Sequence, residues 1–292
     1  MIDTPIRKTI AYKQLSNALG SEIYGFGTHF PRDPEAARTL VDAWHAGGIC
    51  RLRQQRLDMA AFVEFSRILG TPERALNQER KLTSREDLPE LMIVSNIKEN
   101  GEAIGHLGAK EAYWHTDMCY TDVPPIASIL YAIEVPASGG NTEFMNMYRV
   151  YEALPPALRS RIERLSIKHD RSYTAVGELR YGFDSVVDVT TCPGSVHPLV
   201  RVHPVTMRPY LYLGRRLNAY VVGLPVAESE ALLDELWRYT RLDGMTWSQR
   251  WEVGDIMIWD NRCTMHRRDA FDEAARRLMW RTQVQADPAR PL

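Results

Sequence analysis

Residues 114–147 read WHTDMCYTDVPPIASILYAIEVPASGGNTEFMNM, and the spacing of their turn signals decides the fold. Three short extended stretches, WHTDMCY, ASILYAIEV and NTEFMNM, are separated by the Pro-Pro step at 124–125 and the Pro-Ala-Ser-Gly-Gly turn at 136–140. Short β-favouring runs punctuated in this way predict antiparallel sheet, as in a barrel or jelly roll. Downstream, HPLVRVHP, PYLYLG, GDIMIWDN and RLMWRTQVQ resume the strand pattern, while VYEALPPALRSRIERL and AESEALLDELWRYTRL interrupt it with helical spacing. Upstream, DPEAARTLVDAWHAG reads as a helix, GICRLRQQ as a short strand, and DMAAFVEFSRILG as a second amphipathic helix ended by Gly70. The fold class is therefore mainly β with flanking helices. No repeat of fixed period divides the chain, so a single domain is expected over 1–292. Residues 76–113 are charged and broken by turn formers, with one strand at LMIVSN, and are expected to form a surface loop long enough to act as a lid.

Composition narrows the partners. Thirty-six Lys and Arg balance 37 Asp and Glu, leaving a net charge of -1, so no overall field favours nucleic acid or an anionic membrane. A small-molecule partner is expected instead. The cysteines Cys50, Cys119, Cys192 and Cys263 form no CxxC pair, which argues against a zinc ribbon or a disulfide framework and favours a cytoplasmic location. No stretch approaches the roughly 18 apolar residues of a membrane span, and the first thirty residues hold no continuous apolar run.

The sharpest local feature is Trp114-His115-Thr116-Asp117, where His115 and Asp117 stand two apart on a predicted strand. Strand alternation would turn both side chains to one face. An imidazole beside a carboxylate suits a divalent iron that keeps coordination positions open. The pair alone is equally a core histidine bonded to its neighbour. His266, after the apolar run GDIMIW and a polar corner, would complete a two-His, one-carboxylate triad of the kind associated with iron(II) oxygenases. Arg277 follows His266 by 11 residues and Arg281 by four more, and on a strand 277, 279 and 281 share a face. Two cations facing one cavity require anions there. If the opposite face is inside, Leu278 and Trp280 are buried and both arginines are solvated; alternation does not choose between the two.

Taken together, WHTD, ASILYAIEVPASGGNTEF, HPLVRVHP and WDNRCTMHR followed by RRLMWR resemble the taurine and phenoxyalkanoate-herbicide dioxygenases, the TauD/TfdA type of 2-oxoglutarate oxygenase. The resemblance covers nearly the whole chain, including the N-terminal order of helix, strand and the helix ending in FSRILGTPE. It implies a double-stranded β-helix, the cupin-like jelly roll, with a metal in its mouth. It also implies that His115, Asp117 and His266 are the catalytic metal ligands for Fe(II), that Arg277 and Thr142 bind 2-oxoglutarate, and that Arg281 grips an anionic group of the substrate. O2 is then the oxidant, and a C–H bond of a small acid is hydroxylated with release of succinate and CO2. A homo-oligomer is implied as well. Because Asp117 is present, no halide position opens at the metal.

Two other readings stay open: a hydrolase using zinc or another divalent metal at the same residues, in which Arg277 and Thr142 have no task, and a binding module that keeps the fold. His197 and His203, each followed by Pro, read as structural. His29, His45, His106 and His169 lack ligand spacing. Trp114 and Trp259 read as packing beside the ligands, and Cys119 and Cys263 as small apolar side chains.

Overall fold

The computed structural model describes residues 10–26, 33–75 and 87–285. His29 and residues 76–86 of the expected lid lie outside the described residues. The architecture is mainly β with helices on the outside, as the cadence predicts. A nine-stranded sheet runs in the order Ala11–Gln14, Ser21–Tyr24, Ile49–Leu52, Ile256–Asp260, Ala127–Glu134, Leu278–Gln285, Met92–Ser95, His106–Leu107, with Thr71–Pro72 also paired to Leu278–Gln285. A four-stranded sheet runs Thr246–Gln249, Thr142–Asn146, Thr264–Arg268, Ala112–His115.

The inner faces of the two sheets meet through one apolar cluster. Phe144 from the smaller sheet packs with Leu130, Ala132, Met257, Trp259 and Met279 from the larger. Trp259 lies 4.8 Å, ring to ring, from His266, so core packing fixes the wall on which that histidine stands.

The helices form where capping and periodicity agree. Asp33 accepts from the amides of Glu35 and Ala36 and opens Pro34–Gly47, which buries Leu40, Ala43 and Trp44. Gly48 closes it at φ 73, a left-handed conformation that costs a side-chain-bearing residue, and turns the chain into Ile49–Leu52. The second predicted helix ends at Ser66, before Gly70. The predicted helix VYEALPPALRSRIERL divides into Met147–Ala153 and Pro156–Ile162, because Pro155 forces Leu154 out of the helical region to ψ 138. Within the expected lid, the described part holds several short strands, Met92–Ser95, Lys98–Glu99, Glu102–Ala103, His106–Leu107 and Ala112–His115, not one. No helix among the described residues is long and apolar enough to cross a membrane.

His169 is fully buried, and both its ring nitrogens lack partners among the described residues. Burial first, then His197 and Arg215, pushes it down to about 3. An unfolded histidine titrates near pH 6.5, so between about 6.5 and 3 the unfolded chain binds a proton that the native state refuses. The unfolding free energy should therefore fall as pH drops through that window. His169→Leu should show a shallower slope in denaturant titrations at stepped pH; an unchanged slope would remove His169 as the cause.

Candidate metal centre and acid pocket

The strands Ala112–His115 and Thr264–Arg268 pair so that His115 stands directly opposite His266. Their rings lie 4.2 Å apart. His115 donates from Nδ1 to the Tyr113 carbonyl at 2.6 Å, which leaves its Nε2 lone pair for the cluster. The Nε2 atoms of His115 and His266 lie 3.6 and 3.8 Å from Asp117 Oδ1. All three ligand atoms fall within 4.8 Å of one another.

Asp117 reaches this point by a route that alternation did not foresee. The strand ends at His115, and Asp117 lies beyond it in a turn whose next residue, Met118, has φ 50. Asn261 holds the turn: its side-chain oxygen accepts from Asp117 N at 2.9 Å and its amide donates to Asp117 O at 2.8 Å. The second carboxylate oxygen, Oδ2, accepts from Ser128 Oγ at 2.7 Å and lies 2.6 Å from Arg281 Nη2. One oxygen is thus engaged by the protein and the other faces the histidines.

The electrostatics suit a cation. Burial alone would raise the Asp117 carboxyl, but Arg281, His266 and His115 outweigh it and hold it well below the usual range. Burial first, then His115, pushes His266 down to about 3. At neutral pH the cluster is an ionised carboxylate beside a neutral His266 imidazole, a donor set that fits a divalent metal.

Arg277 and Arg268 are buried. Arg277 is 2% exposed, its Nε lacks a partner among the described residues, and the Phe271 ring lies 5.9 Å from its guanidinium carbon. Burial first, then Arg268, pushes Arg277 down to about 9. A Cβ on Gly140 would stand 3.5 Å from that Nε, so the Gly-Gly turn passes against the guanidinium. Thr142 follows, buried, accepting from Trp251 Nε1 at 3.1 Å and paired across the sheet with Arg268.

Arg277, Met279 and Arg281 are on the inward side of the last strand, whereas Leu278 and Trp280 are half-buried on the other. The solvated alternative for the arginines therefore falls away. Arg281 makes an ion pair with Asp117 without hydrogen-bond alignment, so its Nε and Nη2 keep donor capacity. A cavity of about 1310 Å³ opens beside Arg281, His115 and Asp117. One wall comes from residues 96–110 and the other from 171–183. Lys110 and Glu178 join the two walls at 2.5 Å.

A second cluster, His203, Asp260 and Cys263, also has metal-like spacing. His203 Nδ1 accepts from the amides of Val205 and Thr206, so its Nε2 carries the proton and donates to Asp260 Oδ2 at 3.0 Å. Arg262 takes both Asp260 oxygens at 2.8 and 2.6 Å. This cluster is an internal anchor for the turn that presents Asn261, in keeping with the structural reading of His203.

The sequence pattern described as "Taurine catabolism dioxygenase TauD, TfdA family" matches residues 11–283. The chain belongs to this family. Among TauD/TfdA relatives, it is 34% identical to the alpha-ketoglutarate-dependent 2,4-dichlorophenoxyacetate dioxygenase of Cupriavidus pinatubonensis, over 80% of this chain and 83% of that one. It is 32% identical to an alpha-ketoglutarate-dependent sulfate ester dioxygenase of Pseudomonas putida, over 86% and 81%. The crystal structure of a taurine dioxygenase from Burkholderia xenovorans superimposes with a TM-score of 0.77 at 29% identity, covering 95% of this chain and 90% of that one.

Against this TauD/TfdA background, sequence reading missed Ser128 and Asn261. Ser128 had a signal, a lone hydroxyl inside the apolar strand ASILYAIE. Asn261 had none, since its task depends on a turn 144 residues away. The wall at 171–183 also went unforeseen.

Proposed function

We propose that the protein is an iron(II)- and 2-oxoglutarate-dependent dioxygenase that hydroxylates a C–H bond of a small anionic organic substrate and releases succinate and CO2. His115, Asp117 and His266 hold the iron, Arg277 and Thr142 hold 2-oxoglutarate, and Arg281 holds the acid group of the substrate. The two sheets sharing the Phe144 core are read as a jelly roll that carries this site, with residues 96–110 as part of its lid. The observation that carries the proposal is the convergence of the three ligand atoms within 4.8 Å while Asp117 keeps its other oxygen on Ser128.

The bound iron, with 2-oxoglutarate and O2, supplies the oxidising chemistry. The chain supplies position. Ser128 and Asn261 fix the carboxylate so that one oxygen points at the metal position, and the Tyr113 carbonyl fixes the His115 tautomer. Arg277, buried without a counter-charge among the described residues, gains by taking a carboxylate in two parallel hydrogen bonds. Arg281 stands between Asp117 and the cavity and orients an anion toward the metal position. The walls at 96–110 and 171–183 screen that space from water.

The direct test is succinate formation coupled to O2 uptake, with Fe(II) and 2-oxoglutarate present, across a panel of small organic acids. Stimulation by anionic compounds and none by neutral ones is expected. In Arg281→Ala the KM of a stimulating acid should rise about 30-fold or more, as for truncating one partner of a buried charge pair. A neutral compound turned over equally by both proteins would overturn the assignment of Arg281.

A further inference from the structure

The Thr142 hydroxyl lies on the inner face of the smaller sheet. Thr142 pairs with Arg268, and Phe144 with His266, across the same two strands. Opposed residues share a face, as do residues two apart on a strand, so Thr142 faces the same way as His266. It is 3% exposed. Gly140, two residues earlier, passes against the Arg277 guanidinium.

The direction of that hydroxyl is set from the strand on the other side. Gln249 stands opposite Thr142 at the end of Thr246–Gln249, and Trp251, two residues on, places its Nε1 3.1 Å from Thr142 Oγ1. An indole nitrogen only donates, so the Thr142 oxygen is the acceptor and its own proton points elsewhere. Among the described residues that proton meets no acceptor. Arg268 and Arg277 cannot provide one, because a guanidinium carries donors alone. The hydroxyl proton and the two guanidiniums together are the complement of a carboxylate.

We infer that Trp251 is a positioning residue for the co-substrate: its indole N–H holds the Thr142 oxygen as an acceptor and so commits the hydroxyl proton to the distal carboxylate that Arg277 pairs. The inference rests on the proposed function for the place of 2-oxoglutarate and adds the group that gives Thr142 its polarity. A hydroxyl without that constraint rotates among about three staggered positions, only some of which aim its proton at the anion. Trp251, acting through Thr142, thus sharpens the preference for an oxo acid with a second carboxylate.

The test is calorimetric binding to the protein loaded with Mn(II), which reads affinity without turnover. The ligands are 2-oxoglutarate and 2-oxopentanoate, which has a methyl group in place of the distal carboxylate and is read by displacement of 2-oxoglutarate. The ratio of the two affinities isolates the distal carboxylate. Trp251→Phe, which keeps a ring in place, should lower that ratio about three- to tenfold, because the proton regains its other positions and the hydroxyl loses a polarising donor. Thr142→Val should lower it about tenfold or more, the scale of one hydrogen bond to a charged group. Adding Trp251→Phe to Thr142→Val should change the ratio no further, whereas Thr142→Ser, which keeps the hydroxyl, should stay sensitive to it. An unchanged ratio in Trp251→Phe, or equal weakening of both ligands, would mean that Trp251 only packs and would overturn the proposal. So would a further fall in the double variant. Failure of 2-oxoglutarate to bind the Mn(II)-loaded parent would remove the proposed function together with this inference; the other outcomes bear on Trp251 alone.

Discussion

Asp117→Ala is expected to abolish iron-dependent succinate formation and to lower affinity for Fe(II) or Mn(II) more than about a hundredfold, beyond the loss typical for outer-shell partners. In the proposed site the substitution would remove one metal bond and the one anion of the His115, Asp117 and His266 cluster. It also strands Arg281, whose guanidinium lies 2.6 Å from the deleted oxygen, and leaves the Ser128 hydroxyl without its acceptor. An uncompensated buried charge typically costs about 3–5 kcal/mol, so the metal-free variant should also melt earlier while keeping a native circular dichroism spectrum. His115→Ala and His266→Ala should lose metal and turnover without that destabilisation, because neither carries the Arg281 contact. Metal titration, succinate assay and thermal unfolding of the three variants separate the two effects. Full turnover in any one of them would remove the triad.

Arg277→Leu should raise the apparent KM for 2-oxoglutarate by about 30- to 1000-fold, corresponding to about 2–4 kcal/mol for a buried charge-assisted pair. Its effect on stability should have the opposite sign. The guanidinium is 2% exposed, is pushed down by burial and by Arg268, and meets no counter-charge among the described residues. Leucine relieves that desolvation, so the apo variant should melt no earlier than the parent. Arg277→Lys should recover little affinity, because an ammonium lacks the two-pronged contact. Unchanged 2-oxoglutarate affinity in Arg277→Leu would show that another arginine does this work. Arg276 is the next in sequence, although its guanidinium is already paired with Glu134 at 2.7 and 2.9 Å.

The difference between what was legible in the sequence and what was not follows the range of the interactions. Strand cadence and helical spacing are local, and the sheet-and-helix order was readable from them, although the first helix begins only after Asp33 as its cap and closes on Gly48, which the sequence reading assigned to the following strand. Convergence of His115 and Asp117 was expected, but through alternation; a turn closed by Asn261 achieves it. The facing of Arg277 and Arg281 was open, because a strand reads the same from either side until its neighbours are known. Met279, packed against Leu130 and Met257, shows which side is inside.

The placement of the last strand constrains how the chain is made. Leu278–Gln285 follows both of its partners in the chain but lies inside the large sheet, hydrogen-bonded to Ala127–Glu134 on one side and to Met92–Ser95 on the other. Until those residues leave the ribosome, each of these two partners presents an unpaired edge, the arrangement that invites pairing with another chain. The sheet is then completed by inserting a strand between two already made. Pairing over so long a range is the kind that closes slowly. Removing Leu278–Gln285 would therefore split the sheet, where trimming an edge strand would only narrow it.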